Sequence, residues 1–180
     1  MPFGAKANGP AVEAIPMVRQ ALQDDPGIGP KYMMIVTDGQ TDFCNDGNAL
    51  CPADAVTYMI QDMYAATPSV GTLVIGLPTS VSNISSAVLQ DFANAGAGQP
   101  VAIPSGTGVT TSTDVYNQCN GQGTTAGSYS WSSLYTAAGR AGMTSLATYS
   151  ATGGTATVYT AATASETDLE NQILMAVCSR

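Results

Sequence analysis

The chain has 180 residues, and five Lys plus Arg stand against 13 Asp plus Glu for a formal net charge of −8, with no histidine at all. That balance excludes a surface built to neutralise nucleic-acid phosphates. The missing histidine excludes Ser-His-Asp and Cys-His catalytic centres and any His-ligated zinc. Hydrophobic residues make up 44% of the chain and charged ones only 10%, enough apolar matter for the core of one domain. No stretch is long and apolar enough to span a membrane. The four cysteines, Cys44, Cys51, Cys119 and Cys178, form an even set without CxxC spacing; with few lysines and many Thr and Ser, they point to an exported, disulfide-containing protein. Met1-Pro2-Phe3-Gly4 lacks both regions of a secretory signal, so an exported origin implies further sequence upstream.

The first element is a helix over residues 8–24. Asn8 can cap it, Pro10 suits its first turn, and Val12, Ile15, Val18 and Leu22 fall on one face. Pro16 is expected to kink it or delay its start. A turn from Asp25-Pro26-Gly27 to Pro30 leads into KYMMIVTDGQTDF, residues 31–43. The unbroken apolar run Tyr32 to Val36 reads as a strand buried on both faces. It releases Thr37-Asp38-Gly39 at its carboxyl end, where open α/β sheets build ligand sites. Asp42, Asn45, Asp46 and Asn48 follow between Cys44 and Cys51, an oxygen-rich loop at the rim of the sheet.

Pro52 opens a helix to about Ala66, whose Val56, Met59, Ile60 and Met63 form an amphipathic stripe; its methionines read as core. Thr72 to Leu77 is a second buried strand. Ser82 or Asn83 caps a helix that carries Ile84, Val88 and Phe92 and ends near Gly96. Residues 99–154 then change character: Gly, Ser and Thr dominate, and Asp114 and Arg140 are the only charges. Tyr116, Tyr129, Trp131, Tyr135 and Tyr149 are scattered through it, with a helix expected about Trp131 to Leu146. The segment reads as an insertion ordered by its aromatics and Cys119, either as loop packing or as a carbohydrate-binding aromatic platform. Thr155 to Thr160 is the third strand. Ser165-Glu166-Thr167-Asp168 is a capping box opening a last helix with Leu169, Ile173 and Val177 on one face and Cys178 at its end. Alternation of this kind means a parallel sheet with helices on both faces.

The chain resembles the C-terminal part of a von Willebrand factor type A (VWA) domain of exported bacterial proteins. The resemblance rests on MMIVTDG (33–39), on the VIGL strand with its helix ending in FANAGAG (92–98), and on VYTAATASETDLENQILMAVCS (158–179), and it covers most of residues 8–98 and 155–179. It implies a single, partial VWA-like domain over 1–180, with a three-layer Rossmann-like, mostly parallel sheet lacking its N-terminal strands. It also implies a metal-ion-dependent adhesion site at the carboxyl ends of the strands. Asp38 matches the aspartate of that site's third loop, with Thr37 and Gly39 in support; the Asp-x-Ser-x-Ser motif and the second-loop Thr are not in this sequence. Mg²⁺ wants near-octahedral oxygen coordination and Ca²⁺ six to eight oxygens, so either ion would bind this chain weakly or not at all. Asp38 as a turn or cap residue is the plain alternative. Asp42, Asp46 and Asn48 offer a separate calcium loop, although Cys44 stands where an EF-hand has its second ligand; a solvated disulfide loop explains them equally.

The function expected is a non-enzymatic extracytoplasmic module for protein–protein contact or adhesion. The alternatives are a metal-dependent α/β hydrolase using Asp38 and Asp42, and a structural piece of a larger surface protein. Cys44 is expected to pair with Cys51 across a short loop, and Cys119 with Cys178, one of three connectivities. With the first strands absent, residues 32–37 expose an unpaired edge, which predicts a homodimer or another chain docked there.

Overall fold

The chain is described by a computed structural model, which covers residues 11–37, 39, 50–78, 86–104, 109–119, 125–126, 129–130, 144–163 and 165–179. In chain order, α1 (Ala11–Asp24) leads into β1 (Lys31–Thr37), α2 (Leu50–Ala65), β2 (Val70–Gly76) and α3 (Ser86–Gly96). Within the insertion lie α4 (Ser112–Cys119) and the two-residue strands β3 (Thr125–Ala126) and β4 (Tyr129–Ser130), paired antiparallel. β5 (Val158–Thr160) and α5 (Glu166–Cys178) close the chain. β1, β2 and β5 form a three-stranded sheet in that order, parallel throughout, with Ile35 opposite Val74 and Ile75 opposite Tyr159. The α/β class and the parallel sheet expected from the alternation are therefore present.

Parallel strands taken in consecutive order need crossovers of one hand, which puts both connecting helices on one face. The core bears this out. Met33 and Val74 point to the side where Val56, Ile60 and Met63 of α2 meet Leu89 and Phe92 of α3, with Ile15 of α1 joining them. Leu73, Ile75 and Tyr159 point to the other side, which α5 covers with Ala176 and the half-buried Leu169 and Ile173. Alternate residues of one strand thus serve two cores, as expected for a strand covered on both faces. Among the described helices none is long and apolar enough to cross a membrane.

Several elements differ from expectation at their margins. α1 runs through Pro16 instead of starting after it, held by Ile15 and Leu22 against the core, while Val18 stays 38% exposed. The buried lysine Lys31 donates from Nζ to the carbonyls of Leu22 and Asp25, capping the end of α1. In α5, Val177 is 54% exposed and Ala176 is the buried residue, because the helix meets only two strands. The N-cap is as read, with Ser165 Oγ accepting from the Asp168 N–H at 3.2 Å, but the return bond of the box is replaced: the Ser165 N–H donates to Thr163 Oγ1 at 3.3 Å. α3 ends in a Schellman arrangement. The Gln99 N–H donates to the Asn94 carbonyl at 2.8 Å and the Gly98 N–H to Ala95 at 3.2 Å, with Gly98 at φ 66. A side chain at Gly98 would also strike the Tyr64 ring, so glycine is required there on both counts.

In the insertion, the expected anchor Cys119 is buried and bonded, and backbone bonds add to it. The two ends of the insertion are zipped together: the Ser150 N–H donates to Val101 and the Gly154 N–H to Pro100, with a parallel bridge between Ala102 and Ser150. Val101, Val109, Val115 and Leu146 enter the main core beside α2. Residues 155–157, expected in the third strand, are drawn aside by α3: the Thr155 N–H goes to Gln99 Oε1 and the Ala156 N–H to Asn94 Oδ1. β5 is left with three residues. The helix expected about Trp131 to Leu146 lies mostly outside the described residues; 144–146 are not helical.

The expected cysteine pairing is corrected. Cys51 is bonded to Cys119, with Cα atoms 5.5 Å apart, joining the first turn of α2 to the last of α4. Neither Cys44–Cys51 nor Cys119–Cys178 can then form, and Cys178 is an exposed free thiol. Sequence proximity favoured Cys44. The packing of α4 against α2 decides otherwise, because both Cys51 and Cys119 are wholly buried where those helices meet.

Candidate functional site

The carboxyl ends of the three strands lie side by side. The Leu77 N–H donates to the Thr37 carbonyl at 2.9 Å and the Ala161 N–H to the Gly76 carbonyl at 3.0 Å, carrying the ladder one residue past each strand. β1 ends in a tight turn in which Gly39, at φ 83, donates its N–H to Thr37 Oγ1 at 3.1 Å. That φ suits glycine, and the hydroxyl–amide bond is the usual device for such a turn. Thr37, at the end of β1, is half-buried, and Gly39 is buried. Asp38 itself lies outside the described residues, as do Asp42, Cys44, Asp46 and Asn48 of the acidic loop. Gly39, which the acidic loop follows in the sequence, stands at the carboxyl end of the sheet, where α/β proteins hold ligands. Among the described residues no group of three or more acidic or cysteine side chains could hold a metal ion.

β1 is an outer strand of the sheet, and among the described residues no strand pairs with its free side. Its residues facing α5's side are poorly covered, because α5 packs over β2 and β5. Val36 is 42% exposed and Tyr32 40%, with Met34 half-buried between them. Directly behind them Met33 is buried in the main core. One strand therefore offers solvent an apolar face and a backbone edge together.

Two carboxylates that the sequence reading passed over are prominent in the structure. Asp54 of α2 is wholly buried and accepts the Leu146 N–H at 2.9 Å, the Ala147 N–H at 3.1 Å and the Tyr149 hydroxyl at 2.8 Å. Seven residues on, Gln61 donates to the Thr148 carbonyl and accepts its N–H, 2.8 and 2.9 Å. A spacing of seven puts Asp54 and Gln61 on one helix face, opposite the Val56 stripe, so these groups hold the insertion rather than a ligand. Asp91, on α3, lines a cavity of about 270 Å³. Burial pushes its carboxyl up from 3.8 to about 7.

Comparison with protein-family models, with curated proteins and with solved structures finds no match. What the coordinates themselves define is a mixed α/β domain built on a three-stranded parallel sheet, with five helices among the described residues.

Proposed function

We propose that this chain is a non-enzymatic protein-binding module of VWA type that works outside the cytoplasm and docks its partner along the outer edge of β1. The observation that carries the reading is that edge: an outer parallel strand with exposed Tyr32 and Val36 above a buried Met33, ending in the Thr37–Gly39 turn. Unpaired strand edges recruit strands from other chains, and an apolar flank adds burial to the new backbone bonds. The VWA reading is supported by MMIVT, residues 33–37, lying on a strand followed, in parallel order, by the strands that carry VIG and VYT. The Cys51–Cys119 bond supports an oxidising compartment.

A divalent cation would need six or more oxygens, whereas the one matched donor is the carboxylate of Asp38, with Thr37 and Gly39 only in support. The donor set does not fit a tight Mg²⁺ or Ca²⁺ site, and docking is assigned to the edge without it. In the absence of a partner a second copy takes the same edge. Sedimentation velocity over a concentration series should show reversible dimerisation of the wild-type chain. Val36→Lys places a charge on the exposed flank, should cost no more than about 0.5 kcal/mol of stability, and should leave a monomer. Equal sedimentation of the two proteins, with equal melting, would overturn the edge as the docking surface.

A further inference from the structure

α3 presents Ala87, Asp91 and Asn94 at spacings of four and three, one face of a helix, to a cavity of about 270 Å³. The opposite wall is residues 102–104 of the insertion's entry and Gly153-Gly154 of its exit. Most polar side-chain groups in this wall already have partners. Gln90 Nε2 donates to Asn94 Oδ1 at 3.0 Å and to the Ala156 carbonyl at 2.8 Å, and Asn94 Nδ2 donates to the Gly154 carbonyl at 3.1 Å. Asp91 differs. It has no hydrogen bond or ion pair among the described residues, and the cations Arg19 and Lys31 are engaged with Asp62 and Asp25. Among the described residues, no other residue of the lining is titratable or charged. Asp91 is half-buried, so its carboxylate is partly desolvated yet open to a ligand that enters the cavity.

We propose that this cavity is a binding site for an alkylammonium group, which pairs with Asp91 while its carbon stem lies against Ile103 and Pro104. The choice of ligand follows from the walls. A metal ion would find a single carboxylate, far short of a coordination shell. A neutral ligand would leave Asp91 unpaired, and an anion would be repelled by it and by the chain's net charge of −8. An ammonium carried on a few methylenes matches both the lone carboxylate and the Ala102, Ile103 and Pro104 wall, and the volume admits a group of about lysine side-chain size. None of Thr37, Gly39 or the β1 edge lines this cavity, so the site stands or falls apart from the docking reading.

Because Asp91 must be ionised to pair, binding should strengthen as pH rises through about 7 and level off above it. The test is a titration of ¹⁵N-labelled protein with n-butylammonium, read at the amides of Gln90, Asn94, Gly153 and Gly154. Saturable shifts are expected at about pH 8, with affinity weaker by about tenfold or more at about pH 5.5. Asp91→Asn should abolish them while melting at least as high as the wild type, and n-butanol, which has the stem without the charge, should produce none. N-acetyl-lysine methylamide as a second probe separates the sources: saturable binding there points to a lysine of a protein, and its exclusion to a free amine. Shifts equal in Asp91→Asn, equal with n-butanol, or absent for both amines would overturn the proposal.

Discussion

Replacing Asp54 with alanine should be among the most damaging single substitutions in this chain, and the structure allows the size of the effect to be estimated. The carboxylate is wholly buried and receives three hydrogen bonds, two from the consecutive amides of Leu146 and Ala147 and one from the Tyr149 hydroxyl. Hydrogen bonds to a charged acceptor contribute about 1.5–3 kcal/mol each, but the bonds are shared within one network and do not add. The larger effect is what is left behind. Leu146 and Ala147 are each 2% exposed, so their N–H groups would stay buried without an acceptor, at about 1–3 kcal/mol apiece. A loss of about 4 kcal/mol follows for Asp54→Ala, which for a chain of this size lowers Tm by about 8–16 °C. Asp54→Asn keeps one acceptor oxygen but turns an NH₂ toward a donor, and should lose about half as much. Tyr149→Phe removes one donor at the rim and should cost about 1 kcal/mol, and the Asp54→Asn/Tyr149→Phe pair should lose less than the sum. Urea denaturation gives these differences, and hydrogen exchange at Leu146 and Ala147 locates them. Asp54→Ala within about 0.5 kcal/mol of wild type, or fast exchange of both amides in the wild type, would refute the reasoning.

The other predictions concern the cystine and the Asp91 carboxyl. Non-reducing peptide mapping should recover Cys51 linked to Cys119, with Cys178 alkylated in the folded protein; because the bond closes a span of 68 residues, its reduction should lower stability by about 4 kcal/mol in the chain-entropy model. A map linking Cys51 to Cys44, or a reduced protein of unchanged stability, would contradict the packing of α4 on α2. For Asp91, the folded pKa of about 7 lies above the ordinary value of 3.8, so the folded state holds its proton where the unfolded chain has lost it. Stability should therefore fall as pH rises from about 4 to about 7 and be level above, by about 1–2 kcal/mol once solvent screening of this partly exposed group is discounted. Asp91→Asn should flatten the profile over that window; an unchanged slope would assign it to another group. Asp114, whose pKa is lowered chiefly by the Thr110 N–H and the Thr111 hydroxyl, titrates below this range and does not obscure it.

What could be read beforehand and what could not divide along physical lines. MMIV and LVI are runs of strand length rich in β-branched residues, and their burial on both faces leaves a parallel sheet as the consistent arrangement. The Ser165 capping box fixed the start of α5 because that signal is local. β5 was overextended, since nothing in TATVYT reveals that Asn94 and Gln99, some sixty residues away in sequence, hold the backbone at 155 and 156. The cysteine pairing failed for the same reason. A short loop closes cheaply, but two helices packed in contact place the thiols, and that contact is non-local. At the candidate site, the Thr37–Gly39 turn was legible from TDG, whereas Asp38 and the acidic loop remain sequence expectations. Asp91 was passed over because a single acidic residue on an amphipathic helix ordinarily faces water.

One further signal was present in α2 but divided between two patterns. Val56, Ile60 and Met63 mark the face turned to the sheet, and the eye stops there. Cys51, Asp54, Tyr58 and Gln61 repeat at three, four and three residues on the opposite face, which is as good a helical period as the apolar stripe. With a stripe on each side, the first half of α2 is buried at residues 51–57 without a break, and the helix meets solvent only toward its end, at Asp62, Tyr64 and Ala65. Its second stripe can be polar because it meets loop backbone. Loop amides need acceptors that no strand supplies, and an aspartate, a glutamine and a cystine give three firm attachments where apolar side chains would give none. The insertion is in this way fastened to α2, which packs beneath β2 together with α3. Loosening Asp54 should then be felt at the sheet as well as in the loop, and the β1 edge, being an outer strand, is where that loosening should first reach solvent.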